Sequence, residues 1–271
     1  MIQKSDIQKL RAATSAGMLD CKRALELSNG DYEAAYRHIR TQGQAKAETK
    51  SSRVTSNGVV LTHNSEHGAA MIEINCETDF VAKNEMFQSF SKELLKIVFD
   101  NKVLNEVDLL KLPMYEATVE EARLDLISRM GENIKVRRCC YLAAEDKSCT
   151  SYQHGQRIGV ILKFHGDADL AASLAMQIAA FRDIVLTPED IPAEILARER
   201  AIAVTRVSSM GKSEAISLSI IEGMIAKFID SNTLSGQEFM VDTSHKVSEI
   251  LKLKNTSIQE FIRFELGLGQ E

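Results

Sequence analysis

The run Met71-Ile72-Glu73-Ile74-Asn75-Cys76-Glu77-Thr78-Asp79-Phe80-Val81-Ala82-Lys83 changes character halfway along. Its first part is strand-like. It follows Val59-Val60-Leu61 across the polar turn Asn64-Ser65-Glu66-His67-Gly68, so the two runs read as a β-hairpin. The strand then stops at a polar corner, and Phe80 follows immediately. Beyond it Phe87, Phe90, Leu94 and Ile97 trace one face of a helix. A second stripe, Val119, Ala122, Leu126 and Met130, ends at Gly131, which suits a helix C-cap. Ile134 and Val136 alternate with Lys135 and Arg137 in a further strand. The order strand–strand–helix–helix–strand predicts an α+β unit whose antiparallel sheet is covered on one face.

A similar order begins again with the apolar run Ile158–Phe164 and the helical, small-residue-rich Leu170–Ala180. The texture then changes. Thr187-Pro188-Glu189-Asp190 reads as a helix start with Thr as N-cap and Pro at the first position. Ile191, Ile195 and Ile202 mark one arm of an antiparallel helical hairpin, and Leu218, Ile221, Ile225 and Phe228 mark the other at near-heptad spacing. Met210-Gly211-Lys212-Ser213 forms its tip, and Phe261–Leu266 reads as a final strand. Upstream of the first hairpin, the first forty residues predict three helices. Ser5 and Gln8 fit a capping box, Thr14–Gly17 breaks the first helix, Met18, Cys21 and Leu25 share a face, and Asp31 caps a third helix carrying Ala35 and Ile39. So little apolar surface predicts a module that packs on something else. Residues 42–56 are polar and small, compatible with a linker or a longer third helix, and the expected boundary falls there.

Acidic side chains outnumber basic ones, 38 to 33 over 271 residues, for a net charge of −5. That balance argues against wrapping nucleic acid, where Lys and Arg must neutralise phosphates. No stretch approaches the roughly 20 apolar residues that span a bilayer. The start Met1-Ile-Gln-Lys-Ser-Asp resembles neither a secretory signal nor a transit peptide, and five cysteines without CxxC spacing suit reduced thiols. A cytoplasmic protein is expected, without membrane contact.

The usual catalytic constellations are missing from the sequence. Gly211-Lys212-Ser213 has the end of a phosphate loop, but the glycine required five positions before Gly211 is Arg206. A helix–helix turn is the expected reading. His63 and His67 flank a turn without a third ligand at metal-binding spacing, and Cys139-Cys140 on a strand point to opposite faces. No catalytic residue, cofactor or metal site is expected.

Two segments are left unexplained by composition: Leu10–Leu25, and Glu73–Lys83 around the corner. At the corner, one reading has Thr78 or Asp79 capping the helix and Phe80 anchoring it as a core aromatic. The other holds Phe80 outward as a binding hot spot beside an acid. Periodicity does not choose between them.

Both segments resemble, over their full length, the signature regions of the bacterial elongation factor Ts family, the guanine-nucleotide exchange factors for elongation factor Tu. Met130-Gly131-Glu132-Asn133-Ile134, Ser151–Gly155 with Arg157–Val160, Leu234-Ser-Gly236-Gln237 with Phe239, and Phe261-Ile-Arg263-Phe-Glu265 resemble further family motifs in family order. The resemblance implies an N-terminal three-helix, ubiquitin-associated-like (UBA-like) module, a core of two related α+β subdomains with antiparallel sheets, and an inserted helical hairpin of coiled-coil type. The expected division is 1–54, 55–140, 141–186 with 230–271, and 187–229 for the hairpin. It implies a cytoplasmic role in protein biosynthesis and translation elongation. Arg11, Met18 and Leu19 are expected to contact the nucleotide-binding domain of elongation factor Tu. Thr78, Asp79, Phe80 and Val81 lie in the motif whose phenylalanine wedges beside the partner's magnesium site, with Gly131 and His154 as further contacts. An adaptor using the helical module for another partner is the competing reading, and a simple adaptor needs no such corner. This chain departs from the family in lacking prolines after Lys212 and before Phe239, and a short helical module that many relatives carry after Phe261–Gly269 is expected to be missing at some cost in affinity.

Overall fold

The computed structural model describes residues 2–14 and 16–268. Ser15, in the first expected break, and residues 269–271 lie outside the described residues, as do the side chains of residues 44 and 46–48.

Helices α1 (Lys4–Thr14), α2 (Met18–Leu27) and α3 (Tyr32–Lys50) form the amino-terminal module. Helix α1 starts before the expected capping box. The Gln3 carbonyl accepts from Asp6 and Ile7, so Ser5 sits within the first turn and donates to Gln3 Oε1 at 3.3 Å. Asp31 caps α3 as expected, accepting from the Ala34 amide at 3.0 Å. Among the described residues, the apolar core of this module is only Leu10, Cys21, Ala24, Leu25, Ala35 and Ile39. Helix α3 continues through the polar stretch to Lys50.

The core begins with the hairpin β1 (Asn57–Ser65) and β2 (Gly68–Cys76), followed by the single turn α4 (Asp79–Ala82), α5 (Glu85–Asn101) and α6 (Glu106–Leu109). The short ribbon β3 (Pro113–Met114) and β4 (Ala117–Thr118) leads into α7 (Val119–Met130) and β5 (Ile134–Ala143). The second half repeats the theme with β6 (Ser148–His154), β7 (Ile158–His165) and α8 (Ala168–Ala180). After α9 (Ala193–Ser208) and α10 (Glu214–Asn232) come β8 (Glu238–Phe239), β9 (Asp242–Lys246), α11 (Val247–Leu253) and β10 (Ser257–Glu265).

Two antiparallel sheets result, ordered β1-β2-β5 and β6-β7-β10. The first sheet is not covered on one face, as its sequence suggests, but on both. Val59, Leu61, Ile72 and Ile74 pack under α5 and α7, while Val60, Ala69 and Met71 meet Cys149, Ile161 and Phe264 of the second sheet. On that sheet's far side Val160, Leu162 and Phe164 pack against Leu170, Leu174 and Ile178 of α8. The core is therefore layered helix–sheet–sheet–helix. Every residue of β2 is buried, because its apolar groups alternate onto two cores rather than one core and solvent. The sheets approach closely at Gly159, where a Cβ would lie 2.7 Å from Met71 Sδ and 2.8 Å from Val60 Cγ1.

Glu73 crosses this interior with no exposure, bonded to Arg138 Nε at 2.7 Å and to the Gly267 amide at 2.9 Å, so the segment after β10 is tied to β2. The module docks on the same subdomain. Helix α3 packs on α7, Arg129 donates to the Ala13 carbonyl at 3.2 Å, and Asn133 Nδ2 donates to the Ser51 and Arg53 carbonyls at 3.2 and 3.0 Å.

The inserted hairpin differs from its reading in two respects. Thr187-Pro188 opens a one-turn 3-10 helix, Pro188–Asp190, closed by the Thr187–Asp190 capping box, and α9 restarts after Pro192. Its seam is Ala203 and Val207 against Ile221 and Ile225, whereas Ile195, Ile202 and Leu218 are about half exposed. Apolar residues occupy more than one face of each arm, and the facing arm selects which are buried. Gly211 and Lys212 form part of the turn between the arms, and Ser213 is the N-cap position of α10.

Candidate functional site

The corner between β2 and α5 is built from short-range rules and held by long-range contacts. Thr78, in extended backbone, is the N-cap of α4, and its hydroxyl accepts from the Val81 amide at 3.4 Å. A helix of four residues has no stability of its own, so its surroundings must fix it. The Thr78 amide donates to Glu132 Oε2 at 3.0 Å and the Thr78 hydroxyl to Oε1 at 2.7 Å. Glu132 reaches this point because Gly131, left-handed at φ +77°, ends α7 and turns the chain back. Few residues other than glycine take that conformation cheaply. Next door, Glu77 accepts from the Asn133 amide at 2.6 Å, and its carbonyl accepts from Asn57 Nδ2 at 2.9 Å.

The exit from α4 is held too. Gln88 donates to the Ala82 carbonyl at 2.6 Å and exchanges amide hydrogen bonds with Gln156 of the second subdomain, at 3.2 and 2.9 Å. Asn84 then caps α5 by accepting from the Met86 amide at 2.9 Å.

On this fixed turn Val81 points inward, 8% exposed, and Phe80 points outward, 82% exposed. Of the two readings of Phe80, the core-aromatic one fails: Val81 and Phe87 fill the core positions. Thr78 rather than Asp79 is the cap. Asp79 lies beside Phe80 and pairs with Lys83 at 2.7 Å; that hydrogen bond and charge hold its carboxyl below the usual aspartate range. Behind the corner, burial and the nearby Glu132 push the Cys76 thiol up to about 12, leaving it unreactive at neutral pH.

The remaining candidates occupy other parts of the surface. Arg11 and Met18 line a hollow of about 550 Å³ with Ile7, Gln8 and Ala12. Leu19 beside them is 82% exposed, so the module presents apolar side chains it does not need for folding. Met18 does not share the buried face of Cys21 and Leu25; it stands at its edge, 52% exposed. His154 ends β6, its ring stacked on Tyr152 at 6.5 Å, and helps to line a hollow of about 380 Å³ with Met176 and Met240. The bonds through Gln156 and Gln88 connect the turn after His154 to α4. Thr78 and Gly131 are site candidates from sequence, whereas Glu132 and Glu77 stand there only as members of family-like motifs and Gln88 in neither capacity; the roles of all three depend on partners remote in the chain.

Among the described residues, no group of three or more His, Cys, Asp or Glu could hold a metal ion. His63 packs edge-on against Phe99 at 4.6 Å while His67 lies beside Glu66. Cys139 faces the helical side of the sheet and Cys140 packs against the other core. No helix of the described residues is long and apolar enough to cross a membrane.

In sequence, the chain that builds this clamped corner is similar to translation elongation factors. The family model for elongation factor TS matches residues 77–268, from the corner to the end of the described chain. Elongation factor Ts of Idiomarina loihiensis is 42% identical over 267 residues, covering 98% of this chain and 91% of that protein. The proteins of the same name from Tolumonas auensis and Psychrobacter arcticus are 40% and 39% identical, each covering 98% of this chain and 91% and 90% of their own lengths. The chain belongs to the elongation factor Ts family.

Proposed function

We propose that this chain is a guanine-nucleotide exchange factor: it binds elongation factor Tu in its GDP-bound and nucleotide-free forms and speeds GDP release, with no catalytic chemistry of its own. The observation that carries this reading is Phe80, 82% exposed on a helical turn held at both ends. An aromatic ring delivers large contact area with few rotatable bonds, and a fixed turn lets it displace a partner's structure rather than yield.

The proposed mechanism is linkage. GDP is held by Mg²⁺ and by backbone amides around its phosphates, so displacing the elements that carry them weakens both. A factor that binds the nucleotide-free partner more tightly weakens nucleotide binding by the same ratio, and couplings of about 1–3 kcal/mol correspond to roughly 5–150-fold. Phe80 is the wedge, with Thr78, Asp79 and Val81 completing the corner. Arg11, Met18 and Leu19 dock the module on the nucleotide-binding domain, and Gly131 and His154 supply further contact or support. The proposed units are 1–54, 55–140, 141–186 with 230–271, and the hairpin 187–229, acting in the cytoplasm without direct contact to nucleic acid or membrane.

The test is release of fluorescent GDP from elongation factor Tu on adding this protein at micromolar concentration. Acceleration is expected. Phe80→Ala should keep the unfolding midpoint of the parent and lose most of that acceleration. No acceleration by the parent would favour an adaptor role, and parental rates in Phe80→Ala would remove Phe80 from the mechanism.

A further inference from the structure

We infer that Glu132 is a positioning residue for nucleotide exchange: its carboxylate, engaging Thr78 through both oxygens, sets the direction in which Phe80 is presented. This inference rests on the exchange reading of Phe80 and goes beyond it by naming what aims the ring. Three observations lead there. First, α4 is one turn long, and its internal hydrogen bonds cannot fix its axis. Second, Glu132 binds the residue that starts α4 at the two groups that orient the turn: the Thr78 amide at 3.0 Å and its hydroxyl at 2.7 Å. The same hydroxyl accepts from the Val81 amide, so the carboxylate, the cap and the residue after Phe80 form one connected chain. Hydrogen bonds to an ionised acceptor are shorter and stronger than neutral ones.

Third, Glu132 comes from outside the corner. It follows α7, whose last turn ends at Gly131 and which packs against α3 of the amino-terminal module. The direction of Phe80 is therefore referenced to the element on which the module sits, not only to the strand that leads into it. Val81 and the Gln88 bond keep α4 attached to the core when the carboxylate is lost. Removing Glu132 should thus leave a folded protein with a loosely aimed ring.

The experiment follows GDP release from elongation factor Tu against exchanger concentration for the full-length parent, Glu132→Ala, Glu132→Gln, Phe80→Ala and the double variant Phe80→Ala/Glu132→Ala. Glu132→Ala should lower the maximal rate about tenfold, the loss expected for a hydrogen bond to a charged group, while the half-saturating concentration stays near the parent's. Glu132→Gln keeps one acceptor oxygen and should fall between; it also carries the test if the alanine variant does not fold. In the Phe80→Ala background the Glu132 change should have no further effect. Parental maximal rates in both folded Glu132 variants would overturn the inference, as would an equal, additive loss in the double variant. Full activity in Phe80→Ala would instead overturn the reading of Phe80 itself, which separates the two failures.

Discussion

At the end of β2 and again at the end of β7 the chain makes the same move from strand to helix. Thr78 and Asp167 each cap the helix that follows, bonding to the amides of Val81 and of Asp169 and Leu170. Each capping residue has its own amide held by a side chain that precedes the third strand of its sheet, Glu132 before β5 and Thr256 before β10. In both corners the third helical residue, Val81 or Leu170, is buried, and the second is exposed. At that exposed second position the subdomains part: Asp169 in one, Phe80 in the other. An acid there interacts well with the helix N-terminus; a phenylalanine gains nothing from folding. The corners also differ beyond the cap, since α8 runs on for 13 residues while α4 stops after four and a second cap, Asn84, starts α5. One scaffold thus serves twice, and at this position only one of the two corners carries an exposed aromatic that the fold does not explain.

That contrast can be pressed at four points. Leu170→Ala should cost the most, about 2–5 kcal/mol of stability as for other buried leucines, read as a lowered denaturation midpoint. Phe80→Asp, which copies the second corner into the first, should leave that midpoint unchanged or slightly raised. It should slow GDP release about a hundredfold, equivalent to about 2.7 kcal/mol in the barrier. A marked loss of stability would mean the ring is part of the core after all. A smaller effect separates the two caps. Hydrogen bonds from the Leu170 and Asp169 amides hold the Asp167 carboxyl below the usual aspartate range. Its folded-state value is thus depressed, so its contribution is present above the unfolded value and lost as pH falls through the folded one. The Leu170 amide should lose exchange protection, taken relative to its intrinsic exchange rate, on acidification below about pH 4, and Asp167→Asn should remove that dependence. The smallest effect is expected from Asp169→Phe: placing a ring at the second corner should give no exchange activity to a Phe80→Ala protein, because the partner contacts proposed for the first corner are missing there.

Much of this was legible in the sequence. The hairpin, the stripes of α5 and α7, the Gly131 cap and the start of a second copy follow from period and punctuation. What escaped was whatever depends on a neighbour. The run Gly68–Cys76 is apolar at alternate positions on both sides, but only the second sheet reveals that both sides are interior. The hairpin arms carry apolar residues on several faces, and the seam at Ala203 and Val207 is chosen by α10. Ser5 matched a capping pattern, yet the chain entered α1 through Gln3. Phe80 could be singled out, but not its exposure, since Val81 fits the core position equally well by spacing. Glu132 lies in a family-like motif, but its role had no local signal, because a surface glutamate and a clamp 54 positions from its partner look alike in one dimension.

Helix α3 has a consequence of its own. The stretch that composition leaves open between a linker and a longer third helix is helical as far as Lys50, part of a continuous rod that starts at Tyr32, so the module's placement is a matter of helical phase rather than of chain statistics. Each residue added within the rod would advance the module by about 1.5 Å and turn it by about 100°. One insertion would swing the exposed Met18 and Leu19 to a new bearing, and four would bring them back to within about 40° of the original one, about 6 Å further out. The permitted lengths of this segment are therefore discrete, like the teeth of a gear, and drift in its length would be tolerated only in steps of whole turns.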